Sequence, residues 1–206
     1  MTFSIILPSY LGEYKNAASN REQKLIRAIN SVLGQSFSDW ELIVVSDGCD
    51  RTMELVTPLV YEHLPKIRLV KIEKQKIWNG TVRNAGIFLA DGEIITYLDA
   101  DDKLGSNHLQ IINDNFGDSD WVFFNDNIWN GNEFVENHCN MDVKGMCGTS
   151  NFAHRKSMNA YWKDATYLHD FIMIKQLQSM SSNYKVIPCA EYYVMHRPSK
   201  PNKYDI

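Results

Sequence analysis

Residues 79–102 read NGTVRNAGIFLADGEIITYLDADD, and this stretch decides the fold class. Apolar residues recur at helical spacing over residues 80–90, and residues 93–98 form an apolar run of strand length. A helix that leads directly into a strand is typical of βαβ units, in which helices connect parallel strands. The stretch therefore predicts one strand of a parallel sheet, with the acidic segment Asp99–Asp102 directly behind its carboxyl end.

The same alternation of helix and strand extends outward on both sides of this stretch. Strands are predicted over residues 3–9, 41–45, 67–72 and 121–124, and helices over residues 20–33, 51–63 and 104–116. The second half is less regular, with a hairpin around Asn130-Gly131, a helix over 170–180, and short strands over 184–187 and 192–195. Residues 140–154 have no periodicity, and we interpret them as an active-site loop. Together these signals predict one α/β domain.

The composition of the 206-residue chain is that of an ordinary globular domain, with a formal net charge of −4. An acidic balance argues against a nucleic-acid partner, because such proteins carry a basic face. The sequence has no apolar run of the roughly 18 residues that a membrane span needs, and its start lacks the basic region of a signal peptide. We therefore expect a cytoplasmic protein without a transmembrane segment. The four cysteines form no Cys-x-x-Cys pair, so a structural zinc site is not expected.

The acidic segment indicates a cation site. Ligands of parallel sheets gather beyond the carboxyl ends of the strands. Side chains two residues apart on an extended chain point the same way, so Asp99 and Asp101 are expected to face one point, with Ala100 turned away. Two convergent carboxylates suit a hard cation such as Mg²⁺ or Mn²⁺. The alternative interpretation is an acidic turn that caps the following helix.

Four blocks of the sequence resemble family 2 glycosyltransferases in their order and spacing. Residues 79–102 resemble the central signature of that family, and residues 5–10 (IILPSY) look like its first strand and Pro-x-Tyr turn. Residues 28–36 (AINSVLGQS) and 40–50 (WELIVVSDGCD) are similar to its next helix and strand. The resemblance covers about half of the chain. It implies the GT-A fold, an α/β/α arrangement in which helices flank a mostly parallel, Rossmann-like sheet.

The resemblance also implies an activity. Similar enzymes transfer a sugar, with inversion, from a nucleotide-diphosphate donor that is held through a divalent metal, here Mn²⁺ or Mg²⁺. A UDP-sugar is the expected donor, whereas the acceptor (a glycan, a lipid-linked molecule or a protein) and the oligomeric state stay open. We expect a single domain over residues 1–206, in which residues 1–102 bind the nucleotide sugar and residues 103–197 shape the acceptor side. Residues 198–206 are mostly polar and are expected to form a mobile tail.

The donor site that the resemblance implies combines eight residues. They are Pro8, Ser9, Tyr10, Asp47, Arg83, Asp99, Ala100 and Asp101. Tyr10 is expected to flank the base, and Asp47 to accept a hydrogen bond from the uracil ring, because a carboxylate is an acceptor only. Arg83 lies early in a helix and is expected to reach the anionic diphosphate. Ser46 and Cys49 differ from the usual family motif, which leaves the base open, and Asp47 is alternatively a plain turn residue.

Asp170 aligns with the acid that similar enzymes use as general base, although His169 stands where a first acid is usual. A carboxylate at this place would take the proton of the acceptor hydroxyl during an inverting transfer. The alternative is that Asp170 is the N-cap of the helix over residues 170–180. Several similar enzymes place a histidine near the chain end against the metal or diphosphate, so the resemblance implies His196 as a third metal ligand, with an ordinary surface or core histidine as the alternative.

The residues of the acceptor side are harder to single out. The candidates are Trp129, Asn151, Arg155 and Trp162, and each has a structural role as its alternative. Two other functions stay open: a sugar-nucleotide-binding module that needs a partner, motivated by the short acceptor half, and a nucleotidyltransferase. The latter ranks lower because such enzymes carry a glycine-rich loop after the first strand, where this chain has only Gly12.

Overall fold

A computed structural model describes residues 1–14, 17, 20–76, 79–163 and 168–195. The strands are β1 (Phe3–Ser9), β2 (Trp40–Asp47), β3 (Ile67–Ile72), β4 (Ile94–Tyr97), β5 (Lys103–Leu104), β6 (Trp121–Trp129), β7 (Phe134–Asn137), β8 (Phe152–Arg155) and β9 (Tyr184–Val194). The helices are α1 (Arg21–Leu33), α2 (Asp50–Glu62), α3 (Gly80–Leu89), α4 (His108–Phe116) and α5 (His169–Met180), with short 3₁₀ turns at Thr149–Asn151 and Lys156–Met158. The expected tail, residues 198–206, lies outside the described ranges. Within those ranges, no helix combines the length and the apolar character that crossing a bilayer requires.

The first four strands form a parallel sheet in the order β3-β2-β1-β4. All seven residues of β1 are buried, because this strand lies in the middle of the sheet and helices cover both faces. The register places Ser9 opposite Ser46, the residue before Asp47, and Ile6 opposite Tyr97. Parallel strands end at the same edge of a sheet, so the segments that follow β1, β2 and β4 meet there.

The second half of the sheet mixes strand directions. β8 pairs antiparallel with both β4 and β6, and β6 pairs parallel with β9. The short strands β5 and β7 pair antiparallel with β9 and β6. The predicted hairpin around Asn130-Gly131 is confirmed as the connection between β6 and β7. Since β1 to β4, β6 and β9 run in the same direction, the sheet is mostly parallel, as the sequence predicts.

The structure corrects three of the predicted elements. Residues 152–155 form strand β8, where the sequence predicts a loop. The sequence interpretation misses this strand because Phe152 and Ala153 are both fully buried, so apolar and polar residues do not alternate along it. Helix α4 begins at His108, not at residue 104, since Lys103 and Leu104 pair with β9. The two strands predicted after residue 184 are a single strand, β9, whose register against β6 is irregular.

Helices cover both faces of the sheet, so the predicted α/β/α arrangement is confirmed. One core cluster joins α1, α2 and α4 to the sheet, and a second cluster joins α3 and α5 to its other face. In α1, buried residues such as Leu25 and Ile29 recur at helical spacing. In α3, Gly86 lets the helix approach β1, because a Cβ atom there would lie 2.5 Å from Cγ2 of Ile6. This close contact sets the position of α3, which carries Arg83.

Candidate active site

A cavity of about 490 Å³ is lined by residues at the ends of β1, β2 and β4 and is called the first cavity below. Its size is within the usual range for small-molecule sites. Seven of the eight residues expected in the donor site line it: Pro8, Ser9, Tyr10, Asp47, Asp99, Ala100 and Asp101. The parallel pairing of β1 with both neighbours explains this convergence, because it brings the three strand ends to one edge.

Asp47 ends β2 and forms one wall of the first cavity. The residue is 3% exposed, and its Oδ2 accepts a hydrogen bond from Nζ of Lys74 at 2.6 Å. Its Oδ1 accepts a hydrogen bond from the backbone N–H of Gln75, also at 2.6 Å. The Lys74 ammonium lies 4.4 Å from the centre of the Tyr10 ring, a cation–π distance. Asp47 therefore combines a position in the cavity wall with a cationic partner.

Lys74 is a residue of the site that the sequence interpretation misses. The backbone at Gly48 has a φ of +68°, and a Cβ atom there would lie 2.6 Å from the backbone nitrogen of Lys74. Glycine at this position thus allows the chain after β3 to close against the end of β2. The signal that could have identified Lys74 is its place directly after β3, because Ile72 of that strand is in register with Asp47.

The first cavity also has a basic wall, which α1 supplies. Arg21 and Lys24 lie one helical turn apart, and both line the cavity. Nη1 of Arg21 donates hydrogen bonds to the carbonyl oxygens of Tyr10 at 3.1 Å and Gly12 at 2.8 Å, which holds the chain after β1. With Lys74, these residues place three cations in the walls that also contain the acidic segment. Such a mixture of charges suits a ligand that combines anionic phosphates with a metal cation.

The acidic segment is a turn, not the extended chain that the sequence predicts. The N–H of Asp102 donates to the carbonyl oxygen of Asp99 at 3.1 Å, after β4 has ended. Ala100 consequently lines the first cavity instead of turning away from it. Asp99 and Asp101 still face a shared space, since both line the first cavity and a second one. The segment does not cap the following helix, because α4 begins only at His108.

Asp102 holds this turn in place. It is 5% exposed, its Oδ1 accepts a hydrogen bond from the N–H of Met195 at 2.7 Å, and its Oδ2 accepts one from the Tyr192 hydroxyl at 3.0 Å. The Tyr192 hydroxyl in turn accepts a hydrogen bond from the N–H of Asp99 at 3.1 Å. Burial, together with the charges of Asp101 and Asp99, raises the pKa of the Asp102 carboxyl well above its usual range. The third acid of the segment is therefore structural and joins the turn to β9.

Asp99 and Asp101 are the candidate metal ligands that the structure describes, whereas His196 lies outside the described residues. In the part of the chain that is described, no three histidine, cysteine or acidic side chains form a complete metal site. The donor set nevertheless fits Mg²⁺ or Mn²⁺. Mg²⁺ in particular often takes one or two carboxylates from the protein and its other oxygen ligands from phosphates and water. Both carboxylates line the first cavity, where such phosphates would lie.

Arg83 lies behind Asp99 and does not reach the first cavity, contrary to the expectation from the sequence. Its side chain is 2% exposed and lines neither cavity. Nη2 donates hydrogen bonds to Oδ1 of Asp99 at 2.7 Å and to Oγ1 of Thr149 at 3.0 Å, and the guanidinium lies 4.6 Å from the Trp162 ring. The guanidinium is buried against Asp99, Thr149 and Trp162, and Arg83 contacts the site through Asp99.

The second cavity, of about 420 Å³, shares Asp99 and Asp101 with the first and has Asp170 in its wall. Asp170 lies in the first turn of α5, whose N-cap is Leu168, so the interpretation of Asp170 as the helix cap is wrong. Its Oδ1 accepts a hydrogen bond from the Thr149 hydroxyl at 2.7 Å, and its Oδ2 lies 3.4 Å from Nε2 of the neighbouring histidine. The carboxylate is thus directed by side-chain contacts and not by the helix terminus.

The surroundings of Asp170 favour its ionised form. Burial raises the pKa of this carboxyl, but the hydrogen bond from His169, the charge of Arg83 and the hydrogen bond from Thr149 together bring the pKa below its ordinary value. The carboxylate is therefore ionised at neutral pH, the state in which it can accept a proton.

A buried network around Asp126 lines another part of the second cavity. The Asp126 carboxylate accepts hydrogen bonds from the side chains of Asn137 at 2.9 Å, Ser150 at 2.8 Å and Asn151 at 3.0 Å. Of the four acceptor-side candidates, Asn151 lines this cavity. Because its carboxylate already accepts three hydrogen bonds, Asp126 has the surroundings of a structural acid.

The other three acceptor-side candidates line neither cavity. Trp129 packs edge-on against Phe134, with ring centres 5.3 Å apart. Nε of Arg155 donates a hydrogen bond to the carbonyl oxygen of Ser119 at 2.9 Å. Trp162 belongs to the second core cluster. These contacts give the three residues structural positions, the alternative that the sequence leaves open.

Known proteins match this chain in sequence over its first part and in structure over most of its length. The family model described as Glycosyl transferase family 2 matches residues 4–124. The chain is similar to the putative colanic acid biosynthesis glycosyl transferase WcaA of Escherichia coli, with 43% identity over 94 residues, which are 45% of this chain and 33% of that protein. The chain spans about a third of the length of the first curated relatives that it matches.

Two solved structures share the fold. Staphylococcus aureus TarS 1–349 in complex with UDP-GlcNAc has a TM-score of 0.74 and 20% identity, and the match covers 96% of this chain and 59% of that one. The mannosyltransferase PcManGT from Pyrobaculum calidifontis, in complex with GDP-Man and Mn²⁺, has a TM-score of 0.65 and 14% identity, covering 94% and 56%. These likenesses confirm the predicted GT-A type of α/β/α fold. Because the family model covers more than half of its residues, the chain belongs to glycosyl transferase family 2.

Proposed function

We propose that this chain carries the donor site and the catalytic base of an inverting, metal-dependent glycosyltransferase that uses a UDP-sugar. The observation that carries the proposal is that Asp99 and Asp101 line both cavities, with Asp47 in the wall of the first and Asp170 in the wall of the second. A nucleotide sugar in the first cavity would present its anomeric carbon where the cavities meet. An acceptor hydroxyl that enters through the second cavity would reach that carbon beside Asp170.

The wall formed by Asp47 and Lys74 supports uracil as the base. Uracil has an N–H donor between two carbonyl acceptors on one edge, so a carboxylate can accept from the N–H while an ammonium donates to a carbonyl. Adenine and cytosine have no N–H at the matching ring position and fit this wall less well. Tyr10 would flank the base, with Pro8 and Ser9 completing the pocket. The complex of TarS with UDP-GlcNAc supports the same choice.

The diphosphate is proposed to lie between the acidic turn and the basic wall of α1. Asp99 and Asp101 would hold Mn²⁺ or Mg²⁺, and His196 is kept as a proposed third ligand. When bound, such an ion neutralises the negative charge that develops on the leaving diphosphate. Arg21 and Lys24 supply further positive charge in the same cavity. The complex of PcManGT with GDP-Man and Mn²⁺ supports the metal dependence.

Asp170 is proposed as the general base. It accepts the proton of the acceptor hydroxyl while the hydroxyl oxygen bonds to the anomeric carbon and the bond from that carbon to the diphosphate oxygen breaks. Attack from the face opposite to the leaving group inverts the anomeric configuration. The ionised state of Asp170 and its place in the wall of the second cavity support this role.

The acceptor side is proposed to consist of residues after Asp102, which supply most of the second cavity. Half-buried polar residues there, such as Asn137, suit a compound that carries hydroxyl groups. The relative WcaA, which is named for colanic acid biosynthesis, supports a role in polysaccharide assembly. Residues 1–102 would accordingly bind the donor, and the remainder of the chain would bind the acceptor.

Donor binding followed by turnover tests this proposal. The melting temperature is measured with UDP, GDP and ADP, each with and without Mn²⁺. The largest rise is expected for UDP with Mn²⁺, because a ligand that binds the native state stabilises it by mass action. Incubation with UDP-sugars then measures UDP release, and NMR of the product reports its anomeric configuration. Equal stabilisation by the three nucleotides, or a product with retained configuration, would contradict the proposal.

The same assays separate the two alternative functions. A sugar-nucleotide-binding module would be stabilised by UDP but would release no UDP from any UDP-sugar. A nucleotidyltransferase would consume a nucleoside triphosphate. Gly12 has a packing role in the structure, because a Cβ atom there would lie 2.4 Å from the Tyr10 hydroxyl.

A further inference from the structure

The hydroxyl of Thr149 lies between two side chains of the site, Arg83 and Asp170. Thr149 is 6% exposed and begins the 3₁₀ turn that precedes β8. Its Oγ1 atom lies 3.0 Å from Nη2 of Arg83 and 2.7 Å from Oδ1 of Asp170. An arginine side chain only donates hydrogen bonds, so the hydroxyl accepts from Arg83 and donates its single proton to Asp170. The direction of both hydrogen bonds is therefore determined.

The turn that carries Thr149 is anchored to strand β6. The N–H of Gly148 donates to Oδ1 of Asn151 at 2.7 Å. Nδ2 of Asn151 donates to the carbonyl oxygen of Phe124 at 3.1 Å and to Oδ2 of Asp126 at 3.0 Å, and both acceptors belong to β6. Because β6 is paired on both sides, with β8 and β9, it is a firm support for the turn.

Arg83 connects the Thr149 hydroxyl to the acidic turn. The same Nη2 atom that donates to Thr149 also donates to Oδ1 of Asp99 at 2.7 Å. A chain of hydrogen bonds therefore links Asp99, which lines the first cavity, to Asp170, which lines the second. Nε and Nη1 of the buried guanidinium have no hydrogen-bond partner among the described residues. The guanidinium is therefore held by the two hydrogen bonds that Nη2 donates.

We propose that Thr149 is a positioning residue, which orients the Asp170 carboxylate toward the acceptor hydroxyl and couples it through Arg83 to Asp99. This inference rests on the role proposed above for Asp170. A carboxylate with one oxygen held by a buried hydroxyl has few orientations left, and proton transfer requires a defined geometry between base and hydroxyl. Thr149 contributes that geometry from a different segment of the chain.

The groups around Asp170 define what a loss of the hydroxyl would change. His169 and Arg83 favour the ionised carboxylate, as does the hydrogen bond from the threonine. Asp99 is a neighbouring acid, and burial and the charge of Asp170 raise its pKa. Cys147 is a further titratable group nearby. Removing the threonine hydroxyl leaves the other groups in place and takes away one hydrogen bond to the ionised form. Asp170 is then expected to titrate at a higher pH.

Carboxyl NMR tests the contact directly. Thr149→Val keeps the shape of the side chain and removes the hydroxyl, Thr149→Ser keeps the hydroxyl, and Thr149→Ala is a second deletion in case the valine methyl group disturbs the packing. Aspartate labelled with ¹³C at the side-chain carboxyl reports the titration, and the signal of Asp170 is assigned by its loss in Asp170→Asn. The Asp170 carboxyl is expected to titrate at higher pH in Thr149→Val than in the unmodified protein. In Thr149→Ser it is expected to titrate at the same pH as in the unmodified protein.

Two further measurements complete the test. Ser150→Ala removes the neighbouring buried hydroxyl, which binds Asp126, and is expected to leave the Asp170 titration unchanged. UDP release from a UDP-sugar is expected to fall about 10²-fold in Thr149→Val, with UDP affinity changed less than about twofold, and to recover in Thr149→Ser.

The outcomes distinguish this inference from the proposed function. The role of Thr149 is overturned if Asp170 titrates at the same pH in Thr149→Val as in the unmodified protein. It is also overturned if Asp170 titrates at higher pH in this variant but the rate of UDP release is unchanged. An equal fall of UDP release in Thr149→Ser also overturns it, because the hydroxyl would then not be the cause. Absence of UDP release in the unmodified protein counts against the proposed function, while the carboxyl titration still decides whether Thr149 holds Asp170.

Discussion

The ammonium of Lys74 lies 2.6 Å from Oδ2 of Asp47 in the wall of the first cavity. The two residues are 27 positions apart, and the parallel register of β2 and β3 brings them together. A carboxylate and an ammonium side by side offer one hydrogen-bond acceptor and several donors to a ligand. The proposed site for the nucleotide base is thus formed by a pair of residues, of which the sequence motif contains only Asp47.

Lys74→Met is expected to weaken UDP binding by about 1–3 kcal/mol, because it removes a donor to the base and leaves Asp47 buried without its cation. Calorimetric titration with UDP and with ADP measures the change, which is expected to be smaller for ADP. Lys71→Met is the matched control, since Lys71 lies on β3, pairs with Asp50 and does not line the first cavity. Equal weakening by both variants would indicate a general effect of charge and not a contact with the base.

Asp101→Asn is expected to abolish the Mn²⁺ dependence of UDP binding, because a neutral amide replaces a charged oxygen ligand. Calorimetric titration with UDP in the presence of Mn²⁺ or of a chelator measures this dependence. Asp102→Asn is the contrast: it disturbs the hydrogen bonds to Tyr192 and Met195, so it is expected to cost about 1–3 kcal/mol of stability and to keep the Mn²⁺ dependence. If Asp101→Asn still binds UDP more tightly with Mn²⁺, Asp101 is not a metal ligand.

Asp170→Asn is expected to lower the rate of UDP release by about 10²–10⁴-fold, the usual contribution of a general base. The melting temperature is expected to change little, because Leu168 and not Asp170 is the N-cap of α5, so the substitution removes no helix cap. UDP affinity is expected to survive, since Asp170 lines only the second of the two cavities. Rates of UDP release and calorimetric UDP binding measure the two effects separately.

Asp126→Asn provides the comparison for that prediction. The Asp126 carboxylate accepts three side-chain hydrogen bonds, and an amide would turn an N–H toward these donors. The variant is therefore expected to lose about 1–3 kcal/mol of unfolding free energy. A normal rate in Asp170→Asn together with a lost rate in a folded Asp126→Asn would transfer the role of base to Asp126.

Acid is expected to destabilise the fold through His108. Burial lowers the pKa of His108 to about 4, although the hydrogen bond with the carbonyl of Ala190 acts in the opposite direction. A histidine in the unfolded chain titrates near 6.5, so the unfolded state binds more protons between about pH 6.5 and 4. Stability therefore falls as the pH falls through this window, by about 3 kcal/mol for this residue.

Urea unfolding at several pH values in this window measures the effect. His108→Phe is expected to flatten the pH dependence, because a phenyl ring can pack against Phe124 and Tyr192 without taking up a proton. His154, whose pKa burial likewise lowers to about 4, is expected to contribute part of the remaining slope. His138→Gln, which changes an exposed histidine, is the control and should leave the slope unchanged. An unaltered slope in His108→Phe would contradict the prediction.

The parallel half of the fold could be predicted because its signals are local. Buried parallel strands such as β1 are apolar on both faces, and the helices between them repeat their apolar residues at helical spacing. Strand β8 could not be predicted, since four residues carry no period and their pairing partners are distant in sequence. The turn at residues 99–102 could not be predicted either, because it is held by the hydroxyl of Tyr192, which contacts Asp99 and Asp102 and is distant from both in sequence.

By itself, the sequence determined the parallel order of the first strands and the acidic residues near the ends of β2 and β4, and with them the convergence of Asp47, Asp99 and Asp101 at one edge of the sheet. The reason is that parallel strands end at the same edge of a sheet, so the residues that follow each of these strands lie close together. Only the tertiary structure decided the partners of these acids. The hydrogen bond from Lys74 to Asp47 joins residues 27 positions apart, and no periodicity in the sequence predicts it. A buried charged group forms hydrogen bonds with the groups that tertiary packing places next to it, so its partners depend on how the helices pack on the sheet.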